Sequence, residues 1–131
     1  MSRLIFDRRV WALCTAGLVL AAALAGCAPD AARTAALKVG DPARGRMLIG
    51  TLGCGACHRI PGVPDAVGLV GPPLDQAGRR TIIAGLLPNT PEHMVHWLKA
   101  PQSVTPGNAM PDMAIDDRDA HDMAAYLYTL R

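Results

Sequence analysis

Apolar residues along this chain recur at helical spacing rather than in the alternation typical of strands. The clearest pattern lies near the C-terminus, where a helix is expected to begin near Asp116 with carboxylates in its first turn. Its apolar positions form one buried stripe: Ala120, Met123, Ala124, Leu127 and Leu130. The pattern therefore predicts an all-α domain without strands.

An earlier helix is indicated by Asp41 followed by Pro42, a capping carboxylate placed before a proline at the first helical position. This helix is expected to end at Gly53. Gly45 lies inside it, where glycine costs about 1 kcal/mol relative to alanine. We therefore interpret Gly45 as a position that another helix approaches closely.

A further helix start is Thr90 followed by Pro91, and Pro101 is expected to end that helix. Residues 59–70 contain several prolines and glycines, which predicts a loop. Residues 75–87 carry only a weak helix or turn signal. Regular structure is therefore expected mainly at the two ends of the domain and in the helix after Thr90.

Two cysteines, Cys54 and Cys57, are separated by two residues and followed at once by His58. This is the spacing of c-type haem attachment, in which both sulfurs bond to the porphyrin and the histidine is the proximal iron ligand. Gly55 is small, as a loop pressed against a flat macrocycle requires. A thioredoxin-type redox pair and half of a zinc site share the cysteine spacing. The former needs a βαβ pattern and the latter a second close cysteine pair, and the sequence has neither, so haem c is favoured.

Residues 1–26 have the composition of a bacterial export signal, with three arginines followed by an uncharged apolar run. Small residues precede Cys27 in the manner of a lipoprotein signal, so Cys27 is expected to carry a lipid. A plain signal peptidase site and an uncleaved membrane helix are the alternatives, because the run is about as long as the shortest spanning helices. The alanine-rich residues 27–39 are expected to be a tether, and residues 40–131 the folded domain, on the periplasmic side of a bacterial membrane.

Removal of the signal changes the charge of the chain. It discards three arginines and one aspartate, which leaves 10 positive and 10 negative side chains. No basic stripe interleaved with aromatic residues is present, so a nucleic-acid partner is not expected. Cys14 would leave with the signal, and the other three cysteines all have assigned roles, which suits an oxidising compartment.

A haem iron bound to one histidine needs an explanation for its opposite face. A methionine sulfur is a soft ligand that raises the reduction potential. Met110 is the favoured sixth ligand, because it lies between a Pro-Gly turn and Pro111 in a rigid, irregular segment. Met113 is the alternative. Met47 is expected to be too near the cysteine motif to reach the opposite face. Met94 and Met123 are expected to be core residues. The other candidates are expected to be ordinary solvated histidines: His93, His96 and His121.

These residues, taken in order, resemble class I cytochrome c over nearly everything after Gly40. The motifs that carry the resemblance are Cys54-Gly55-Ala56-Cys57-His58, Gly71-Pro72-Pro73-Leu74, Gly78-Arg79, Trp97, Met110-Pro111 and Ala125-Tyr126-Leu127. The resemblance implies a small all-α fold of three to five helices around one covalently bound haem c. The sequence departs from the mitochondrial form in a shortened middle section and a lipid-type N-terminus.

The resemblance also implies roles for individual residues. The Pro72 carbonyl would accept the Nδ1 proton of the haem-binding histidine, and Leu74 would pack on the haem edge. Arg79 would face a haem propionate with Arg80 beside it, and Trp97 would offer its indole N–H nearby. A solvated surface turn is the alternative for the two arginines.

The first and last helices are implied to cross at Gly45 and Tyr126. Residues 79–107 are similar in particular to the cytochrome c domain fused to subunit II of bacterial caa3-type oxidases, but no copper-binding domain is present in this sequence. The predicted function is therefore single-electron transfer without catalysis, between respiratory-chain redox proteins, with a haem-copper oxidase as one candidate partner. The alternatives are a haem subunit of an oxidase or dehydrogenase complex, and a haem peroxidase or ligand sensor.

Overall fold

The computed structural model describes residues 40–131. The predicted signal peptide (1–26), the lipid-bearing Cys27 and the tether (27–39) lie outside these residues. No helix in the described part is both long enough and apolar enough to cross a membrane.

Four α-helices and very little strand make up residues 40–131, which confirms the predicted all-α class: α1 (Pro42–Thr51), α2 (Pro91–Lys99), α3 (Pro101–Val104) and α4 (Asp117–Thr129). The predicted caps are in place, because the side chains of Asp41, Thr90 and Asp116 each accept backbone N–H groups of the first helical turn. Pro101 ends α2, as expected, but also begins α3, since proline suits the first position of a helix.

Helices α1 and α4 cross at Gly45, as the sequence predicted. A Cβ atom on this glycine would lie 2.9 Å from the backbone nitrogen of Met123 and closer still to the carbonyl of Asp122. Tyr126 lies about one turn further along α4 and is buried, and its hydroxyl donates to the Pro61 carbonyl at 2.5 Å. The crossing therefore depends on a residue without a side chain, and Tyr126 ties α4 to the loop that follows the cysteine motif.

The prediction that strands are absent was wrong in one place. Ile82–Ile83 (β1) pairs antiparallel with Leu87–Pro88 (β2), just after a short 3₁₀ turn at Ala77–Arg79. Both central residues of the connecting turn, Ala84 and Gly85, have positive φ, the arrangement that matches the twist of a hairpin. Strands of two residues are too short to show alternation in the sequence, and alanine gives no signal for positive φ.

A charged cluster holds the start of α1 against α4. Both oxygens of Asp122 are used: Oδ1 accepts from the Asp41 N–H at 2.6 Å and Oδ2 pairs with Arg44 at 2.5 Å. Arg44 also pairs with Asp119 at 2.5 Å, and Asp122 is only 5% exposed. Burial alone would raise the pKa of Asp122, but the hydrogen bonds from Asp41 and Arg44 and the charge of Arg44 outweigh it, so its pKa is lowered.

This lowered pKa makes stability depend on pH. The folded state binds fewer protons at Asp122 than the unfolded state, so its contribution is complete above the unfolded pKa and is lost as the pH falls through the folded one. Asp122→Asn is expected to lower the free energy of unfolding at pH 7 by about 2 kcal/mol. The difference from the wild type should shrink below about pH 4, as measured by urea titration.

The matched control is Asp65→Asn, because Asp65 is exposed and its positive φ suits asparagine. This control should leave stability nearly unchanged at every pH. A destabilisation of Asp122→Asn that is equally large at pH 3 and pH 7 would contradict the assignment.

Candidate functional site

A cavity of about 470 Å³ lies among the cysteine motif, the hairpin and helices α2 and α4. Its wall is mostly apolar, and it includes residues from several of the motifs that the sequence singled out. The predicted site residues in the wall are Cys54, Cys57, His58, Pro72, Leu74, Trp97 and Met110. Residues that are far apart along the chain therefore meet around one space.

The cysteine motif follows α1 through a sharp turn. Gly53 has a φ of 74°, which ends the helix, and Cys54–Ala56 then forms a single 3₁₀ turn. The N–H groups of Cys57 and His58 both donate to the Cys54 carbonyl, at 3.2 Å and 3.0 Å. This turn places both half-buried thiols and the imidazole on the cavity wall.

The environment of Cys54 differs from that of a redox-active thiol. Burial, with a smaller contribution from nearby Cys57, raises the pKa of Cys54 above that of a free cysteine. Reactive cysteines in Cys-x-x-Cys redox pairs instead have a lowered pKa, because the thiolate is the nucleophile. Within residues 40–131 no three His, Cys, Asp or Glu side chains are grouped as a metal site would require.

His58 is held in a defined orientation. Its Nδ1 lies 2.8 Å from the carbonyl oxygen of Pro72, which can only accept, so Nδ1 carries the proton. The other ring nitrogen, Nε2, is then left with its lone pair and can bind a metal. The contact expected for Pro72 is therefore present, and the tautomer is the one that an iron ligand needs.

Gly71 is a site residue to which the sequence analysis gave no role of its own. A Cβ atom at this position would lie 2.5 Å from Nδ1 of His58 and 2.8 Å from Nε2. The Gly71 N–H donates to the Cys57 carbonyl at 2.8 Å, and this hydrogen bond fixes the segment that passes over the His58 ring. The glycine before Pro72 was the signal that could have indicated this close approach.

Gly55 has a different role from the one expected. A Cβ atom here would lie 2.7 Å from the Cα of Ala66, so the glycine makes room for the chain's own loop. Gly68 donates its N–H to the Gly55 carbonyl at 3.0 Å. The loop over residues 59–70 therefore folds back on the cysteine motif, and Ile60 and Val70 of the loop also line the cavity.

Methionines approach the cavity from several elements. Met110 and Met113 are half-buried residues of the irregular segment before α4, and both belong to the wall. Met94 and Met123 also reach the wall, from helices, but are 6% and 0% exposed and pack in the core. Met47 is 63% exposed and is not part of the wall. The candidates for an iron ligand on the irregular segment are thus the two that the sequence favoured.

None of His93, His96 and His121 lines this cavity. The Nδ1 atom of His93 lies 2.8 Å from the Pro88 carbonyl, and that of His121 lies 2.6 Å from the Asp117 carbonyl. His96 is exposed and its Nε2 lies 3.2 Å from Ser103 Oγ. Each histidine therefore has a local partner away from the cavity.

The two neighbouring arginines are placed differently from the expectation. Arg80 lines the cavity, whereas Arg79, the residue expected at a propionate, is exposed and not part of the wall. The Arg80 guanidinium donates to the Pro73 carbonyl, and its own carbonyl accepts from Asn89 at 2.7 Å. Asn89 in turn accepts from the Tyr128 hydroxyl at 2.7 Å, so α4 fixes this part of the wall.

The cavity fits a large, mostly apolar group with a few polar atoms. Thr105 Oγ1 is buried in the wall and has no hydrogen-bond partner within residues 40–131. Such a hydroxyl costs free energy unless a bound group supplies a partner. Two thiols, an imidazole with a free Nε2 and a thioether are the donor set that haem c uses, so the residues present suit that group.

Comparison with known proteins decides the family. The sequence model of the family Cytochrome c matches residues 42–131. The chain belongs to the cytochrome c family. This cytochrome c is also similar to the protein named cytochrome c oxidase subunit 2 of Alkalihalophilus pseudofirmus, with 36% identity over 91 residues. The match covers 67% of this chain and 25% of that subunit, so the chain spans about a quarter of that relative's length.

Membership of the cytochrome c family implies a covalently bound haem c and indicates an electron-transfer protein. The small, mostly helical fold predicted for this cytochrome c is confirmed by both the family match and the four helices.

Proposed function

We propose that this protein is a membrane-tethered monohaem c-type cytochrome that carries single electrons between respiratory-chain partners. Cys54 and Cys57 would hold the haem covalently through their sulfurs, and His58 (through Nε2) and Met110 (through its sulfur) would be the ligands to its iron. The observation that carries the proposal is the Nδ1–Pro72 hydrogen bond of 2.8 Å, because it leaves the other nitrogen free in a cavity that Met110 also lines.

The bound haem supplies one-electron redox chemistry, and the residues of the wall determine how it can be used. With His58 and Met110 both serving as iron ligands, the bound haem would transfer electrons and leave no iron position for a substrate. The mostly apolar wall would keep water away from much of the bound haem. Encounters with partners should be brief and small in area, as redox complexes usually are.

The proposed cellular setting rests on the N-terminal sequence. A lipid on Cys27 would hold the domain on the periplasmic side of a bacterial membrane, with residues 27–39 as the tether. Confinement to a membrane surface raises the effective concentration of membrane-bound partners. A haem-copper oxidase is one such partner, which is in keeping with the oxidase subunit among this chain's relatives.

A second candidate function is favoured by that same relative. The protein could be a haem c subunit bound permanently in a terminal oxidase or dehydrogenase complex, with the haem as a relay. Purification from detergent-solubilised membranes separates the two proposals. A stable complex in every preparation would support the subunit, and isolation of the protein alone would support the free carrier.

Met110→Ala is expected to abolish the sulfur-to-iron charge-transfer band of the oxidised protein and to lower its reduction potential. The physical reason is that the thioether is the soft ligand that favours ferrous iron. The visible spectrum and a redox titration of the purified holoprotein measure both effects.

Met113→Ala is the matched control, because it removes a second thioether from the same wall. This variant should keep the band. Loss of the band in Met113→Ala, with retention in Met110→Ala, would reassign the ligand. A wild-type protein without the band would instead favour the peroxidase or sensor alternative, in which the iron has an open position.

A further inference from the structure

We propose that Gln102 and Asn108 are positioning residues that hold Met110 at the cavity and so determine how readily its sulfur leaves the iron. This inference rests on the proposed function, in which Met110 is the axial ligand. The two amides belong to the segment that runs from α3 to Met110, and neither has an assigned role in the electron-transfer chemistry.

Gln102 connects α3 to the chain on both sides of residue 109. Its Nε2 donates to the carbonyl oxygens of Asn108 at 2.9 Å and Met110 at 2.7 Å. Its Oε1 accepts from the N–H of Gly107 at 3.0 Å. One half-buried side chain therefore satisfies three backbone groups of the segment and uses its full capacity to donate.

Asn108 completes the arrangement from within the segment. Its Oδ1 accepts from the Met110 N–H at 2.7 Å. Its Nδ2 donates to the carbonyl oxygens of Pro101 at 3.0 Å and Thr105 at 2.6 Å. Pro101 is fully buried, so Asn108 fastens the segment to a fixed part of the core.

The backbone of Met110 is thus held by side chains rather than by secondary structure. Its N–H is bound by Asn108 and its C=O by Gln102. Residues 105–116 contain neither helix nor strand, so no regular ladder of backbone hydrogen bonds supports this position. These two amide contacts are therefore the hydrogen bonds that hold the Met110 backbone beside the cavity.

The contacts predict a measurable competition at the iron. An external ligand such as imidazole can bind the oxidised haem only when Met110 has moved away, so its apparent affinity reports how often that happens. Removing the two hydrogen bonds that Gln102 donates to the segment should increase the fraction of molecules with Met110 away from the iron about ten-fold, because each neutral hydrogen bond contributes a modest net stabilisation.

The test uses the full-length holoprotein and imidazole as the probe. Gln102→Leu keeps the side-chain volume but removes its polar atoms, and should bind imidazole about ten-fold more tightly than wild type. Asn108→Ala should show a similar increase through an independent set of contacts. Hydrogen exchange of the Met110 amide should also become faster in both variants, which is a readout that does not use the haem.

Ser103→Ala is the matched control. Ser103 follows Gln102 in α3. Its hydroxyl donates to the Ala100 carbonyl at 2.7 Å and lies 3.2 Å from His96 Nε2, and neither partner belongs to the Met110 segment. This variant should bind imidazole as the wild type does. An equal increase in the control would show general loosening of α3 and would overturn the proposal.

The outcomes separate this inference from the proposed function. If Met110→Ala loses the charge-transfer band while the Gln102 and Asn108 variants keep wild-type imidazole affinity and amide exchange, Met110 remains the ligand and the positioning role is wrong. If Met110→Ala keeps the band, the ligand assignment is wrong and the positioning proposal is overturned with it. Tighter imidazole binding in both amide variants, with an unchanged control, supports both.

Discussion

Replacing Cys54 and Cys57 together by alanine is expected to yield an exported protein without any covalently attached haem. Both thiols lie in one turn beside His58 on the cavity wall, and they are the two cysteines of the described domain. Alanine has no sulfur with which to form a thioether. Intact mass measured under denaturing conditions should therefore fall by one haem relative to wild type, when both are made in an export-competent host with haem maturation.

Met47→Leu is a suitable control, because this exposed side chain of α1 lies outside the cavity wall. It should retain the full haem mass. Each single cysteine variant should keep one covalent attachment at reduced yield. A wild-type protein with only the mass of its acylated polypeptide would remove the basis for a haem protein altogether.

Gly71→Val is expected to destabilise the holoprotein by about 3 kcal/mol or to prevent its formation. A side chain at this position would enter the space of the His58 ring, since even a Cβ atom would lie 2.5 Å from Nδ1. Either the imidazole or the chain that carries the Pro72 carbonyl must then move, and overpacking of this kind costs about 1–3 kcal/mol before the hydrogen bond is lost. Denaturant unfolding followed through the haem spectrum measures the effect.

Gly50→Ala is the matched control, because it is an exposed glycine of α1 whose Cβ would meet Val63 at an ordinary 3.6 Å. It should be neutral or stabilise the protein by up to about 1 kcal/mol, since alanine favours a helix. Wild-type stability and an unchanged spectrum in Gly71→Val would mean that the chain over the ring can shift freely.

Much of the fold could be predicted because its signals are local. The starts of α1, α2 and α4 follow from capping residues within one turn, and the cysteine motif carries its own spacing. The close approach at Gly45 could be predicted as well. Glycine inside a helix lowers the stability of that helix, so its presence indicates a contact that leaves no room for a side chain.

Other features depend on contacts between distant parts of the chain. Arg79 and Arg80 are adjacent and chemically identical, and only the folded chain shows that Arg80 reaches the cavity, where it contacts Pro73 and Asn89. Gln102 and Asn108 are common surface residue types, so their hold on Met110 has no signature in the sequence alone. These features emerge only when the tertiary structure brings the segments together.

The crossing of α1 and α4 has a consequence for the order of events during biogenesis. These two helices meet although 65 residues separate them, so the core cannot close until nearly the whole domain is available to fold. Until then the turn bearing both thiols stays accessible on an open chain. Late closure therefore leaves the unfolded domain an interval in which its cofactor can be added before α1 and α4 pack together.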